Sequence, residues 1–432
     1  MVEKGSGGGR QPIGTGCPRL VFTLLRNSSV LFGRGGRVSF SGVDFLGIED
    51  MLSEDERAVR DLVRAFVDED VLPIIEECAY EGRFPVELVP KMAAMNLFGS
   101  TISEYGLPGL NSVAYGLMAQ ELERGDSGLR SFVSVQSSLV MYPIYTYGSK
   151  EQKDRWIPAL ARGESIGCFG LTEPDFGSNP AGMRTVAKRD GNDWILNGAK
   201  SWITNGSIAD VALVWAKVGD VNGPVRGFLV ERGMKGFTAP EHRMKMSLRA
   251  SVTSQLVFED VRVPAASVLP GVEGLKGPLS CLTQARYGIS WGGLGSAMAT
   301  YTCALDYAKS RKQFKDRPIA SHQLVQAKFA FMITEITKGQ LLALRLGRMR
   351  DAGTMKPEHV SMVKRNNVWV ARECAKLARE ILGANGIVGE YPVFRHLANI
   401  ESVFTYEGTH DIHTLVLGQA VTGIPSYNPP ME

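Results

Sequence analysis

Cys168-Phe169-Gly170-Leu171-Thr172-Glu173-Pro174-Asp175-Phe176-Gly177-Ser178 marks the point at which the chain changes character. Upstream of it, apolar residues recur at helical spacing. In 54–75, Ala58, Val59, Leu62, Val63, Phe66 and Val67 form one stripe, Ser53 is placed to cap it, and Pro73 limits its run. Segments 85–97 and 112–124 also read as helices, with a Gly106-Leu107-Pro108-Gly109 loop between them. Downstream, Trp194-Ile195-Leu196-Asn197-Gly198, Ala212-Leu213-Val214-Trp215, Gly227-Phe228-Leu229-Val230 and Gln255-Leu256-Val257-Phe258 have strand composition, punctuated by glycine, Pro224 and Pro240. Strands that short and that close predict a compact β barrel or sandwich of roughly 100 residues. After Pro270 long helices return over 287–314, 328–350 and 358–382. The middle one carries Phe329, Met332, Ile333, Ile336, Ala343 and Leu346, with Gly353 just past its end. The order is helical, β, helical. It divides the chain into a leader over 1–43, a helical domain over 44–166, a β domain over 167–270 and a second helical domain over 271–432. A dinucleotide-binding βαβ fold would need alternating elements and a GxGxxG turn after a strand, and no repeat period suggests a solenoid.

With 432 residues the chain is long enough for several domains. A net charge of +3 gives no global field for nucleic acid, and no apolar run approaches the ~20 residues of a membrane span. The six cysteines, Cys17, Cys78, Cys168, Cys281, Cys303 and Cys374, are scattered without a CxxC pair, which points to reduced thiols rather than to zinc or disulfides. The first 43 residues hold Arg10, Arg19, Arg26, Arg34 and Arg37 against a single acid, Glu3. Basic, serine-rich and acid-poor is the composition of an organelle transit peptide; the alternative is a leader without an address or a mis-assigned start.

Three constellations carry candidate chemistry. In Cys168 to Ser178, proline and glycine break regular structure and free backbone N–H groups for a flat heteroaromatic ring or a phosphate, though a plain turn reads equally from these residues. In Lys200-Ser201-Trp202-Ile203-Thr204-Asn205, Trp202 and Thr204 fall on one face of a strand, facing a ligand or packing in the core. In Thr405-Tyr406-Glu407-Gly408-Thr409-His410-Asp411-Ile412-His413, Gly408 permits a bend at which Glu407 can serve as a general base. The competing reading has Thr405 or Thr409 capping a helix and Glu407 as a solvated first-turn acid. The polar run 127–138 holds one arginine, Arg130, between apolar helical segments; buried, it would need an anion. His410 and His413 stand three apart without a third ligand nearby, so no metal is expected.

Together these segments resemble the flavin-binding segments of acyl-CoA dehydrogenases. So do Arg311-Lys312-Gln313-Phe314 with Gln323 behind it, and Glu380-Ile381-Leu382-Gly383-Ala384-Asn385-Gly386. The resemblance spans about 45–427, with the segments in the family's order. It implies an α+β fold of helical domain, β domain and C-terminal four-helix bundle. Within the family, residues 127–138, Ala285-Arg286-Tyr287-Gly288-Ile289-Ser290-Trp291-Gly292, 405–413 and Thr422-Gly423-Ile424 are most similar to members that oxidise and decarboxylate glutaryl-CoA.

The resemblance implies FAD as cofactor and Glu407 as catalytic base, Ala285 standing where some relatives carry theirs. It puts Phe169, Leu171, Thr172, Ser178, Trp202, Ile203, Thr204, Arg311, Gln323, Glu380, Gly383, Ala384, Thr409 and Tyr427 at the flavin. Arg130, Ser131, Ser134, Ser178, Leu279, Arg286 and Gly408 are left for the acyl-CoA substrate. Arg130, helped by Ser131 and Ser134, would take the far carboxylate of glutaryl-CoA. It further implies an electron-transfer flavoprotein as acceptor, a homotetramer with Arg311 and Gln323 reaching FAD across an interface, a role in lysine and tryptophan breakdown, and the mitochondrial matrix (the cytoplasm if the organism is bacterial). Neither nucleic acid nor membrane is expected as a partner. The alternatives are a short-chain dehydrogenase that does not decarboxylate and an acyl-CoA oxidase, against which Asn428-Pro429-Pro430-Met431-Glu432 counts because it is no Ser-Lys-Leu signal. A flavoprotein-like scaffold without activity is a third. One departure from the family pattern stands out: after Phe314 the usual glycine is missing, and an extra residue falls among Lys315, Asp316 and Arg317.

Overall fold

The computed structural model describes residues 42–427. The transit-peptide expectation therefore falls almost wholly outside the described residues, as does the 428–432 tail. Helices α1 (Glu54–Phe66), α2 (Leu72–Glu81), α3 (Val89–Ala94), α4 (Ser112–Gly125), α5 (Ser127–Ser134), α6 (Tyr142–Tyr147) and α7 (Lys150–Ala161) come first. Ser53 caps α1 with a reciprocal bond to Glu56. The single helix expected over 54–75 is interrupted by a π-helical stretch, Val67–Val71, before α2 begins with Pro73 in its first turn. Proline cannot donate to the carbonyl four residues back, so the ladder changes register just ahead of it. The same device recurs at Val135–Met141, ahead of Pro143. The polar run 127–138, expected to lie between helices, is therefore helical itself.

The β region is one seven-stranded sheet: β1 (Gly167–Gly170), β2 (Val186–Asp190), β3 (Asp193–Thr204), β4 (Val211–Val218), β5 (Val225–Glu231), β6 (Phe237–Thr238) and β7 (Thr253–Val263). Their order is β1-β4-β2-β3-β7-β6, with β5 on the other side of β4. Register shifts in the β3–β7 pairing, between Leu196 and Gly198 and between Lys200 and Ile203, bend the sheet. Alternation along the strands gives it a core of its own, built on Leu196, Val214, Phe228, Leu256 and Val261.

The second helical part contains α8 (Lys276–Ser310), a short hairpin of β8 (Lys312–Gln313) and β9 (Arg317–Pro318), then α9 (Gln323–Asp351), α10 (Pro357–Leu382), α11 (Val393–Thr405) and α12 (His410–Thr422). α8 packs against α4, α9 and α10, so both helical parts share one apolar core. A buried polar network fastens α5 to α11. Asp126 caps α5 through the Gly128 N–H, and its Oδ2 accepts from Arg395 Nη1 at 2.6 Å and Asn399 Nδ2 at 2.8 Å. Asn399 Oδ1 in turn accepts the Leu248 N–H of the loop between β6 and β7 at 2.8 Å. All three parts of the chain are thus registered at one place, next to the turn between α11 and α12.

Candidate active site

That turn is Tyr406-Glu407-Gly408-Thr409. Glu407 has φ 53° and Gly408 φ 91°, two consecutive left-handed residues of which only the second is glycine. Thr409 caps α12, its Oγ1 accepting the Ile412 N–H at 3.1 Å. Glu407 lies before the cap and is no first-turn acid. Although the residue retains some exposure, its Oε2 is sealed from solvent and has no hydrogen-bond partner among the described residues.

Three cations surround this carboxylate. Arg286 Nε donates to the Glu407 carbonyl at 2.6 Å. Lys364 Nζ donates to the Tyr406 carbonyl at 2.5 Å and to that of Gly408 at 2.7 Å. Arg130 reaches the turn through its Nη2, which donates to the Tyr406 hydroxyl. Burial holds the Glu407 carboxyl above the ordinary carboxylate range, and Arg130, Lys364 and Arg286 together only moderate that. The same burial depresses the Lys364 ammonium and the Arg286 guanidinium. A carboxyl with one oxygen sealed and a raised pKa, ringed by positive charge, can take a proton from a weak carbon acid.

Arg130 is 1% exposed. Its Nε donates to Glu123 Oε2 at 2.6 Å, and Ser127 Oγ holds the other carboxylate oxygen at 3.0 Å. Gly292 of α8 makes room for this pair, since a Cβ there would stand 2.2 Å from Glu123 Oε2. Among the described residues, Arg130 Nη1 finds no partner, and neither does the buried Ser134 hydroxyl one helical turn on. Ser131 is buried beside them. Glu123, Lys364 and Tyr406 had not been singled out by sequence. Glu123 and Lys364 carried a signal, an ionisable residue on a buried helix face in α4 and in α10, whereas Tyr406, at the end of α11, carried none.

The sheet residues form a second group. The β3 bulge turns Trp202 outward, to 64% exposure, with φ 63°, and its indole lies 4.7 Å from the His242 ring, near-parallel. It is therefore not a core tryptophan. Thr204 shares its outward face, while Ile203 enters the sheet core and leaves its backbone for a ligand. Phe169 and Leu171 are buried and Thr172 is half-buried; the Thr172 carbonyl accepts the Ser201 N–H at 2.8 Å. A buried ion pair pins this loop: Lys200 Nζ donates to Glu173 Oε1 at 2.8 Å and to the Leu171 carbonyl at 3.2 Å. Ser178 stands exposed at its tip. An exposed indole backed by an imidazole, beside an outward hydroxyl and a pinned glycine-containing loop, fits a flat ring and a polar tail.

Of the remaining predicted residues, Tyr427 comes within electrostatic reach of Arg286, and the others sit on other elements than Glu407. Arg311 ends α8, roughly 37 Å from Arg286 at 1.5 Å per residue along the same helix. Gln323 opens α9, Glu380 pairs with Lys328 at 2.6 Å, and Gly383 and Ala384 are exposed beyond α10. Leu279 is 40% exposed near the start of α8, and Tyr427 lies exposed after α12. Phe314, Lys315 and Asp316, the tip of the β8–β9 hairpin, are all left-handed, which accommodates the extra residue noted there.

The chain thus runs helices, sheet and helices, with the turn of Glu407 in the last part and the outward indole of Trp202 on the sheet. Models of the N-terminal, middle and C-terminal domains of acyl-CoA dehydrogenases match residues 53–164, 168–261 and 273–422 respectively. The chain belongs to the acyl-CoA dehydrogenase family, whose cofactor is FAD. It is similar to a glutaryl-CoA dehydrogenase from Mycobacterium smegmatis, with 54% identity and a TM-score of 0.87 over 90% of this chain and all of that one. A structure of a glutaryl-CoA dehydrogenase from the same organism in complex with FADH2 is 50% identical, with a TM-score of 0.88 and the same coverage. The short-chain specific mitochondrial acyl-CoA dehydrogenase of Bos taurus is 34% identical over 85% of this chain and 90% of its own. Among the described residues, no helix is long and apolar enough to cross a membrane.

Proposed function

We propose that this acyl-CoA dehydrogenase oxidises and decarboxylates glutaryl-CoA to crotonyl-CoA and CO2. The observation that carries the reading is the unpartnered Nη1 of buried Arg130 beside the unpartnered Ser134 hydroxyl. A buried guanidinium with a free donor favours a carboxylate, and glutaryl-CoA carries one at the far end of its acyl chain. Thr172, Ser178, Trp202 and Thr204 would hold FAD, which would supply the hydride acceptor for the β-carbon. Glu407 takes the α-proton. The Glu407 backbone N–H, which meets no acceptor among the described residues, is available to the thioester oxygen as charge develops there. Oxidation leaves an acid vinylogous to a β-keto acid, so CO2 departs as the C–C electron pair delocalises into the thioester. Protonated Glu407 returns its proton to the resulting dienolate.

The separation along α8 supports a flavin contacted by Arg311 and Gln323 of a second subunit, hence a homotetramer. Glu380, Gly383, Ala384, Thr409 and Tyr427 complete the cofactor contacts in this reading, and Ser131, Leu279, Arg286 and Gly408 those of the substrate. The domains run 44–166, 167–270 and 271–432. An electron-transfer flavoprotein takes the electrons, within lysine and tryptophan breakdown, in the mitochondrial matrix if 1–43 is a transit peptide. One observation favours a second reading: Glu123 already neutralises Arg130, so a plain short acyl chain would leave no unpaired charge.

Product analysis with purified, FAD-loaded protein and an artificial electron acceptor tests both. Crotonyl-CoA with stoichiometric CO2 from glutaryl-CoA is expected. Glutaconyl-CoA without CO2 would remove the decarboxylation alone. Oxidation of butyryl-CoA with glutaryl-CoA untouched would establish the second reading.

A further inference from the structure

Lys364 projects from the middle of α10 and is 1% exposed. Both of its hydrogen bonds go to main-chain carbonyls, those of Tyr406 and Gly408, on either side of Glu407. The carbonyl between them, that of Glu407, is held by Arg286. Three successive carbonyls at the C-terminal end of α11, where the helix dipole is negative, are thus each tied to a buried cation. We propose that Lys364 is the positioning residue of the base, pinning the peptide groups on both sides of Glu407 so that this residue keeps its left-handed conformation inside the cationic cluster. The inference rests on the reading of Glu407 as the base and adds a residue that this reading does not use.

The physical need is clear. A side-chain-bearing residue at φ 53° is strained by about 1 to 2 kcal/mol and persists only where its surroundings determine it. Gly408 relieves the turn on one side only. Without the lysine, the Tyr406 and Gly408 carbonyls would be buried without these donors, and the peptide could rotate out of the left-handed well. The groups facing Glu407 are Arg130 from α5, Arg286 from α8, Lys364 from α10 and, across Gly408, His413 from α12. Removing Lys364 therefore subtracts one positive charge of three as well as two hydrogen bonds.

The test compares FAD-loaded Lys364→Met, Lys364→Arg and Glu407→Gln. It measures bound FAD, kcat and KM separately, and an infrared titration of the carboxyl band that disappears in Glu407→Gln. Lys364→Met is expected to keep its FAD and a KM within about threefold, to lose about 100-fold in kcat, and to raise the carboxyl midpoint by about one pH unit. Lys364→Arg should recover kcat to within about tenfold and restore the midpoint. An unchanged kcat and midpoint in Lys364→Met, or a parallel loss of FAD, KM and kcat that Arg does not rescue, would overturn the proposal. If Lys364→Met fails to fold, Lys364→Gln, which keeps an NH2 donor without the charge, must show the same midpoint rise or the proposal fails. Wild-type turnover in Glu407→Gln would instead overturn the base reading, and Lys364's role with it.

Discussion

The Arg130 guanidinium donates to the Tyr406 hydroxyl, so α5 and the turn that holds Glu407 are joined directly. Arg130 also ties to Glu123 on α4. One side chain therefore connects α4, α5 and the α11–α12 turn.

Glu407→Gln keeps the shape of the base without its proton affinity. Flavin bleaching by substrate in an anaerobic stopped-flow experiment should slow by about 10²- to 10⁴-fold while FAD stays bound. Because burial raises the carboxyl pKa, the wild-type bleaching rate should climb with pH through a midpoint above the ordinary carboxylate range. A rate independent of pH between 5 and 9 would contradict the assignment.

Arg130→Met leaves Glu123 buried without its cation, which destabilises the fold by about 3 to 5 kcal/mol. Replacing both partners, as in Arg130→Met with Glu123→Leu, should recover most of that in thermal unfolding at fixed FAD concentration, since an apolar pair of similar volume is close to neutral. In the double variant kcat/KM for glutaryl-CoA should fall about 100- to 1000-fold, and that for butyryl-CoA far less. Equal losses for both substrates would remove Arg130 from specificity.

His413 is buried, its ring against the Glu407–Gly408 turn. Burial, helped by Lys364 and Arg286, pushes its pKa down to about 2 from an ordinary value of 6.5. The unfolded chain thus binds a proton below pH 6.5 that the native state refuses. The stability His413 permits is complete above pH 6.5 and is lost as pH falls toward 2, by at most about 1.4 kcal/mol per pH unit. His413→Gln should flatten the drop in Tm between pH 7 and pH 5. An unchanged slope would mean that other groups carry the acid sensitivity.

Phe314, Lys315 and Asp316 follow one another in left-handed conformation. Lys315→Gly removes a Cβ penalty at the hairpin tip and should stabilise the protein by about 0.5 to 1 kcal/mol, read as a higher Tm. If Arg311 and Gln323 reach a flavin in a second subunit, the same change should also alter FAD retention on dilution. A lower Tm would show that the tip is held by contacts that offset its strain.

The order of helices, sheet and helices was written in the sequence, because apolar spacing of 3.6 and of 2 residues reports which face is buried whatever the face packs against. So was the turn at Glu407, since a glycine after a carboxylate between two helical patterns marks one, whereas a role for that carboxylate came only from the family resemblance. Helix ends were harder. The π-helical breaks before Pro73 and Pro143 follow from donors that proline lacks, but the pattern of apolar residues runs through them unchanged. The outward turn of Trp202 depended on a one-residue bulge against β7, a matter of pairing with a strand some fifty residues away. Glu123, Lys364 and Tyr406 are far from one another in sequence, and each alone is an ordinary residue on a helix or at its end. Only packing of α4, α5, α8 and α10 around the turn removes water from among them. Without water, a carboxylate acquires a raised pKa, a lysine seeks carbonyls, and an arginine with one free donor becomes a place for an anion.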